Sequence, residues 1–115
     1  MIRDLELAKR KLKENGLTLA IVKDSKVLFE SKSRGVSGFL EALNKLKEKM
    51  MGASIADKIV GKAIALLCVY AGVKAVYAQT MSTKAEQFLK NHSAHLEWDT
   101  CGKYIRCFWK GCLSL

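Results

Sequence analysis

The chain contains no proline. Helix stops and linkers therefore fall to glycine and polar residues, and a glycine after an apolar run reads as punctuation. Long hydrophobic runs are missing too. The longest, residues 63–73, falls well short of the roughly 20 apolar residues that span a bilayer, so no membrane role is expected. The N-terminus is amphipathic and charged throughout, with no apolar secretory segment. The expected setting is the cytoplasm, where the four cysteines are expected as thiols rather than disulfides. The two histidines, His92 and His95, lack the i,i+4 spacing of helical metal sites. Cys101, Cys107 and Cys112 are unlike the paired CxxC of zinc sites. No P-loop, GxGxxG or Ser-His-Asp pattern is present. No metal or cofactor is expected.

What is present is a chain of 115 residues, half of them hydrophobic, with a net charge of +9. That length and composition fit one domain over residues 1–115 with a packed core. The positive balance favours anionic partners such as phosphorylated metabolites or nucleic acid. The first 50 residues carry 12 basic against 7 acidic side chains, and the rest 8 against 4, so the charge is not gathered in one tail. A solvated basic surface accounts for it equally well. A homodimer is kept among the expected assemblies.

Ile2, Leu5, Leu7, Ala8 and Leu12 recur near helical spacing, and Asn15-Gly16 reads as the C-terminal cap of that helix. Residues 17–23 (LTLAIVK) and 26–31 (KVLFES) read as strands joined by a tight turn at Asp24-Ser25. Leu17, Leu19 and Ile21 are expected on one face, and Val27 and Phe29 on another shared face. Gly35 opens a helix with an apolar stripe of Phe39, Leu40, Leu43 and Leu46. Residues 50–52 read as a loop. A nearly all-apolar helix is expected over 55–70, stopping at Gly72. Residues 73–80 read as a central strand, parallel to one strand of the hairpin, and 82–91 as a helix capped by Ser82. Residues 95–98 read as a last strand. The alternation points to a mixed sheet with helices on both faces.

The central helix carries the candidate site. Ser54 is placed at its N-cap and Asp57 three residues on, facing the positive end of the helix dipole. Lys58 and Lys62 share a stripe in largely dry surroundings. Gly61, costly in mid-helix by roughly 1 kcal/mol, suggests close approach of a backbone or ligand. Asp57 and Lys62 would point about 140° apart, so a shared role needs a ligand between them. Capping and a wet helix edge explain the same residues without a ligand. Cys68 reads as a small core residue. Cys112 beside Lys110 is a candidate reactive thiol. The segment 103–110 (KYIRCFWK) mixes cations with aromatics, as in a base-stacking surface or a packed strand.

The run ADKIVGKAIALLCVYAGVKAVYAQTMS resembles a small prokaryotic family, a domain of unknown function in the cytidine deaminase-like fold superfamily. The resemblance extends from about residue 17 to 89 and includes Gly35, Asp57, Gly61, Lys62, Gly72 and Met81-Ser82. Gly111-Cys112 resembles the family's Gly-x-Cys-Pro-x-Glu ending, but the proline and the acid are absent. The resemblance implies a three-layer α/β/α sandwich around a five-stranded mixed sheet. It does not imply deamination. Zinc deaminases carry His or Cys ligands at the starts of two core helices, and those places here read Ser54-Ile-Ala-Asp57 and Thr80-Met81-Ser82-Thr83. The expected role is binding of a small anionic, nucleotide-like ligand, with or without zinc-free catalysis. Ser54, Lys58, Gly61, Met81 and Ser82 would form the binding wall, and Asp57, Lys62 and Cys112 would be the reactive groups. The alternatives are a nucleic-acid-binding module and a non-catalytic interaction domain.

Overall fold

The computed structural model describes residues 2–33, 35–92 and 94–101. Helix α1 (Ile2–Glu14) leads into the hairpin β1 (Leu19–Lys23) and β2 (Lys26–Ser31). Helix α2 (Ser37–Leu46) runs into a single 3-10 turn, Lys47–Met50. Then follow β3 (Ser54–Val60), α3 (Lys62–Ala71), β4 (Ala75–Met81), α4 (Thr83–Lys90) and β5 (His95–Cys101). The sheet order is β2-β1-β3-β4-β5. β1 is antiparallel to both β2 and β3, whereas β3, β4 and β5 run parallel.

The layers follow from strand alternation. Leu19, Ile21, Ile55, Val76 and Ala78 pack with residues of α2, α3 and α4 on one face. Ala20, Val22, Ala56, Ala75 and Tyr77 pack with Leu5, Ala8 and Leu12 of α1 on the other. Small residues dominate the α1 face, which lets a single helix lie close across β1 and β3. The Tyr77 hydroxyl donates to Asp99 Oδ2 at 2.6 Å, and Lys9 Nζ meets Glu97 Oε1 at 2.9 Å. These contacts tie α1 and β4 to β5, the outermost strand on that side among the described residues. No helix of the described residues is long and apolar enough to cross a membrane.

The main departure from expectation lies at 54–60. This segment is a central strand, not the first half of a helix. Ile55, Ile59 and Val60 are β-branched, and the segment hydrogen-bonds to neighbours on both sides. A strand covered on both faces is apolar all round, so its pattern matches that of a buried helix. Gly61 is the boundary: it is the N-cap of α3, with φ −97° and ψ −175°. β4 is central as expected, but its parallel partners are β3 and β5; the hairpin pairs antiparallel to β3.

Two smaller corrections concern the hairpin. Leu17 precedes β1 and joins the α1 side, where its N–H donates to Leu12 O at 3.0 Å. Leu19 and Ile21 join the opposite core. The register slips between Ile21 and Val22, which pair with Phe29 and Val27. Leu28 is the extra residue, and it packs with Phe29 against the three-helix core. The bulge thus separates Val27 from Phe29. Met50, expected in a loop, is the last residue of the 3-10 turn and is fully buried.

Candidate ligand pocket at the carboxyl end of the central strand

Asp57 sits on β3 opposite Leu19 of β1 and Ala78 of β4. It shares the three-helix face with Ile55 at the middle of the strand, and Lys58 and Ile59 after it lead to the carboxyl end. Ligands of open α/β sheets bind at that end, where strands deliver side chains and following helices begin. A cavity of about 530 Å³ opens there. Thr18 and Leu19 form one wall, Val36, Gly38 and Phe39 of the α2 start another, and Gly61, Ala63 and Ile64 of the α3 start a third. Asp57, Lys58 and Ile59 supply the β3 side.

Local structure explains the shape. The Thr18 hydroxyl donates to Ser31 O and Ser33 O at 3.0 and 2.7 Å, holding the loop after β2 against the start of β1. Gly38 lets the first turn of α2 settle on that loop, because a Cβ there would lie 2.9 Å from Ser31 Oγ. No side chain caps the first turn of α3 at Gly61. Its leading amide N–H groups therefore remain open for other acceptors.

Asp57 is only 8% exposed. Its Oδ1 accepts from the Ile59 N–H at 3.3 Å. Among the described residues no cation lies within ion-pair distance of it. Burial pushes its pKa up to about 7, against the opposing effect of the Ile59 and Lys58 amides. Both protonation states are then populated near neutral pH, as acid–base chemistry requires.

The residues singled out in the sequence divide. Asp57, Lys58 and Gly61 meet at the cavity. Lys62 does not line it: the side chain is exposed, and Nζ lies 5.7 Å from the Phe88 ring on the α4 side. Ser54 is not an N-cap. It is buried at the other end of β3, paired with Val22 and Ala75, and its Oγ has no hydrogen-bond partner among the described residues. Met81 is fully buried in the three-helix core. Ser82 caps α4, accepting from Ala85 N at 3.0 Å, and its own N–H donates to Val60 O at 3.0 Å. Cys68 is a buried thiol of the core, and burial raises its pKa. Cys112 and the segment 103–110 lie outside the described residues.

Sequence reading missed Thr18, Val36, Gly38, Phe39, Ala63 and Ile64 as cavity walls. The closely spaced Gly35 and Gly38 at a helix start were the available signal. Among the described residues no group of three or more His, Cys, Asp or Glu side chains could hold a metal ion. With β3 placed, the two helix starts read Gly61-Lys62-Ala63 and Ser82-Thr83-Lys84. They offer neither His nor Cys, so they do not fit the three protein ligands of a catalytic zinc.

The architecture matches solved structures. A DUF1893 family protein, TM1506 from Thermotoga maritima, superposes with a TM-score of 0.78 at 24% identity, over 88% of this chain and 67% of that one. RibD from Acinetobacter baumannii gives 0.59 at 25% identity, over 85% of this chain and 33% of its own, so the chain spans about a third of that protein. The apo dCMP deaminase of cyanophage S-TIM5 gives 0.58 at 15% identity, over 84% of this chain and 94% of that one. The fold is therefore deaminase-like. No curated protein matches the chain significantly. The family profile described as TM1506, domain of unknown function DUF1893, matches residues 7–107, and the chain belongs to that family.

Proposed function

We propose that the cavity binds a small nucleotide-like molecule, with a ring edge bearing N–H donors against Asp57 and an anionic group outside, near Lys58 and the open first turn of α3. The observation that carries this reading is the buried Asp57 carboxyl in the wall of a mainly apolar cavity, held by backbone amides and without an ion-pair partner among the described residues. A buried carboxylate with amide partners but no counter-charge is costly. A flat ring with two N–H donors offsets that cost through charge-assisted hydrogen bonds and also covers Phe39 and Ile64. An anion would be repelled from Asp57 itself, so the anionic part belongs at the mouth, where Lys58 is exposed. The cyanophage structure of like fold is, by its name, a deaminase of dCMP, an aminopyrimidine carrying phosphate. Aminopyrimidine nucleotides are thus the first ligands to test. If a reaction follows binding, Asp57 is the residue placed to give or take a proton.

The test is isothermal titration of nucleoside monophosphates and free aminopyrimidines into wild type and Asp57→Asn. Wild type is expected to bind an aminopyrimidine nucleotide more tightly than the free base, and Asp57→Asn to lose at least about tenfold. Absence of binding by wild type across the panel overturns the reading.

A further inference from the structure

We infer that the cavity takes the guanine-type ring edge, an amino group beside a ring N–H, and that Asp57 selects it by the number of donors on that edge. The inference rests on the nucleotide reading above and names the ring class within it. Of the polar side chains lining the cavity, Asp57 alone is buried. The Thr18 hydroxyl is committed to Ser31 O and Ser33 O, and Ser33 and Lys58 are exposed. A ring seated against the apolar walls therefore meets one buried carboxyl. An ionised carboxyl offers acceptors only, with roughly two lone pairs on each oxygen. The Ile59 N–H uses one of these on Oδ1, at 3.3 Å. Acceptor positions remain for two donors side by side.

Base edges differ in this count. Guanine presents a ring N–H next to an amino N–H. Cytosine sets an amino N–H next to a bare ring nitrogen, and uracil sets one ring N–H between two carbonyls. Each of the last two turns a lone pair toward a carboxylate oxygen, and a buried acceptor left unmatched is costly. A protonated carboxyl reverses the choice. It gives one O–H and keeps an acceptor oxygen, which complements cytosine. Burial brings the Asp57 pKa to about 7, so one proton decides which base fits. Among the described residues no other titrating group faces the cavity interior. β1, β4 and α2 bring no charged side chain to it, and Lys58 of β3 is exposed. Lys62 of α3 rests over Phe88, and the Cys68 thiol of α3 is kept protonated by burial and by the Asp57 charge.

Isothermal titration of GMP, CMP and UMP into wild type and Asp57→Asn, at about pH 6 and about pH 8.5, tests this. At the higher pH wild type is expected to bind GMP at least about tenfold more tightly than CMP or UMP. The GMP-to-CMP affinity ratio is expected to fall at least about tenfold at the lower pH, where a group with a pKa of about 7 is mostly protonated. The nucleotides share a phosphate, so its own ionisation cancels in that ratio. Buffers of different ionisation enthalpy are expected to show GMP binding releasing protons near neutral pH and CMP binding taking them up. The carboxamide of Asp57→Asn carries an acceptor and a donor at every pH. The loss in that variant is expected to fall on GMP, with CMP bound at least as tightly as GMP and the ratio flat with pH. Binding of none of the three by wild type removes the nucleotide reading and this inference with it. CMP or UMP bound as tightly as GMP at the higher pH, or a wild-type ratio that does not move with pH, leaves the nucleotide reading standing and overturns this inference.

Discussion

Asp4, in the first turn of α1, clamps the backbone of Ser25 across the hairpin turn. Asp4 Oδ1 accepts from Ser25 N–H and Oδ2 from Asp24 N–H, both at 2.9 Å. Asp24 and Ser25 have φ of 53° and 65°, so the two-residue turn is left-handed at both positions without a glycine. Such turns normally use Asn-Gly or Asp-Gly. The clamp holds a conformation the local sequence disfavours and locks the start of α1 to β1 and β2. Asp4→Ala is expected to cost about 1–2 kcal/mol, read by urea denaturation. Ser25→Gly is expected to be neutral or up to about 1 kcal/mol stabilising, because it relieves the positive φ.

Asp57 sets a pH dependence. Its pKa rises from 3.8 to about 7 on folding, so the folded state favours the protonated form. Stability therefore falls as pH rises between those two values and is flat above and below them. Asp57→Asn removes the penalty. It is expected to be more stable than wild type above pH 7, by up to about 4 kcal/mol, with no such gain below the lower value. Denaturation curves on either side of that window check the sign.

Lys58 and Lys62 lie four residues apart in sequence but differ in role. Lys62→Met is expected to change stability by less than about 0.5 kcal/mol, since the side chain is exposed and rests over Phe88. It should leave binding at the cavity unchanged. Lys58→Met is expected to weaken an anionic ligand by roughly 2–10-fold, with the loss shrinking as salt rises. Titrations at two ionic strengths separate the two.

Gly72 ends α3 in the left-handed region, with φ 76°. Its N–H closes the helix onto Cys68 O and Val69 O. Gly72→Ala is expected to cost about 1–2 kcal/mol, from positive φ and from the press on Met51. Thermal melting measures it.

Ser82→Ala removes the α4 cap and is expected to cost about 1 kcal/mol. Thermal melting is expected to fall by roughly 4–8 °C. Ser82→Asp should recover most of the loss, since its carboxylate also caps and faces the helix dipole.

Much of the fold was legible because its signals are local. The α1 periodicity, the Asn15-Gly16 stop, the hairpin and the Ser82 cap each depend on a few neighbouring residues. The residues from Ser54 to Gly61 were not legible in that way. An apolar strand covered by α1 on one side and α3 on the other has no polar face to reveal its period. Gly61 then looked like a flaw inside one long helix rather than the junction between two elements.

The candidate site shows the same division. Asp57 could be singled out from sequence as a charge in a dry segment, and it does reach a cavity. Its partners could not be found that way. Thr18, Gly38 and Phe39 come to it only because β1 runs antiparallel beside β3 and α2 folds back over the same end. Lys62, close to Asp57 in sequence, is carried to the α4 side by the turn from strand to helix. The sequence by itself determined the element types with local caps and periods, the family and the basic charge. Only the tertiary structure decided which buried segment became the central strand, and so which side chains share a cavity. Strand pairing and burial on two faces are properties of neighbours distant in the chain.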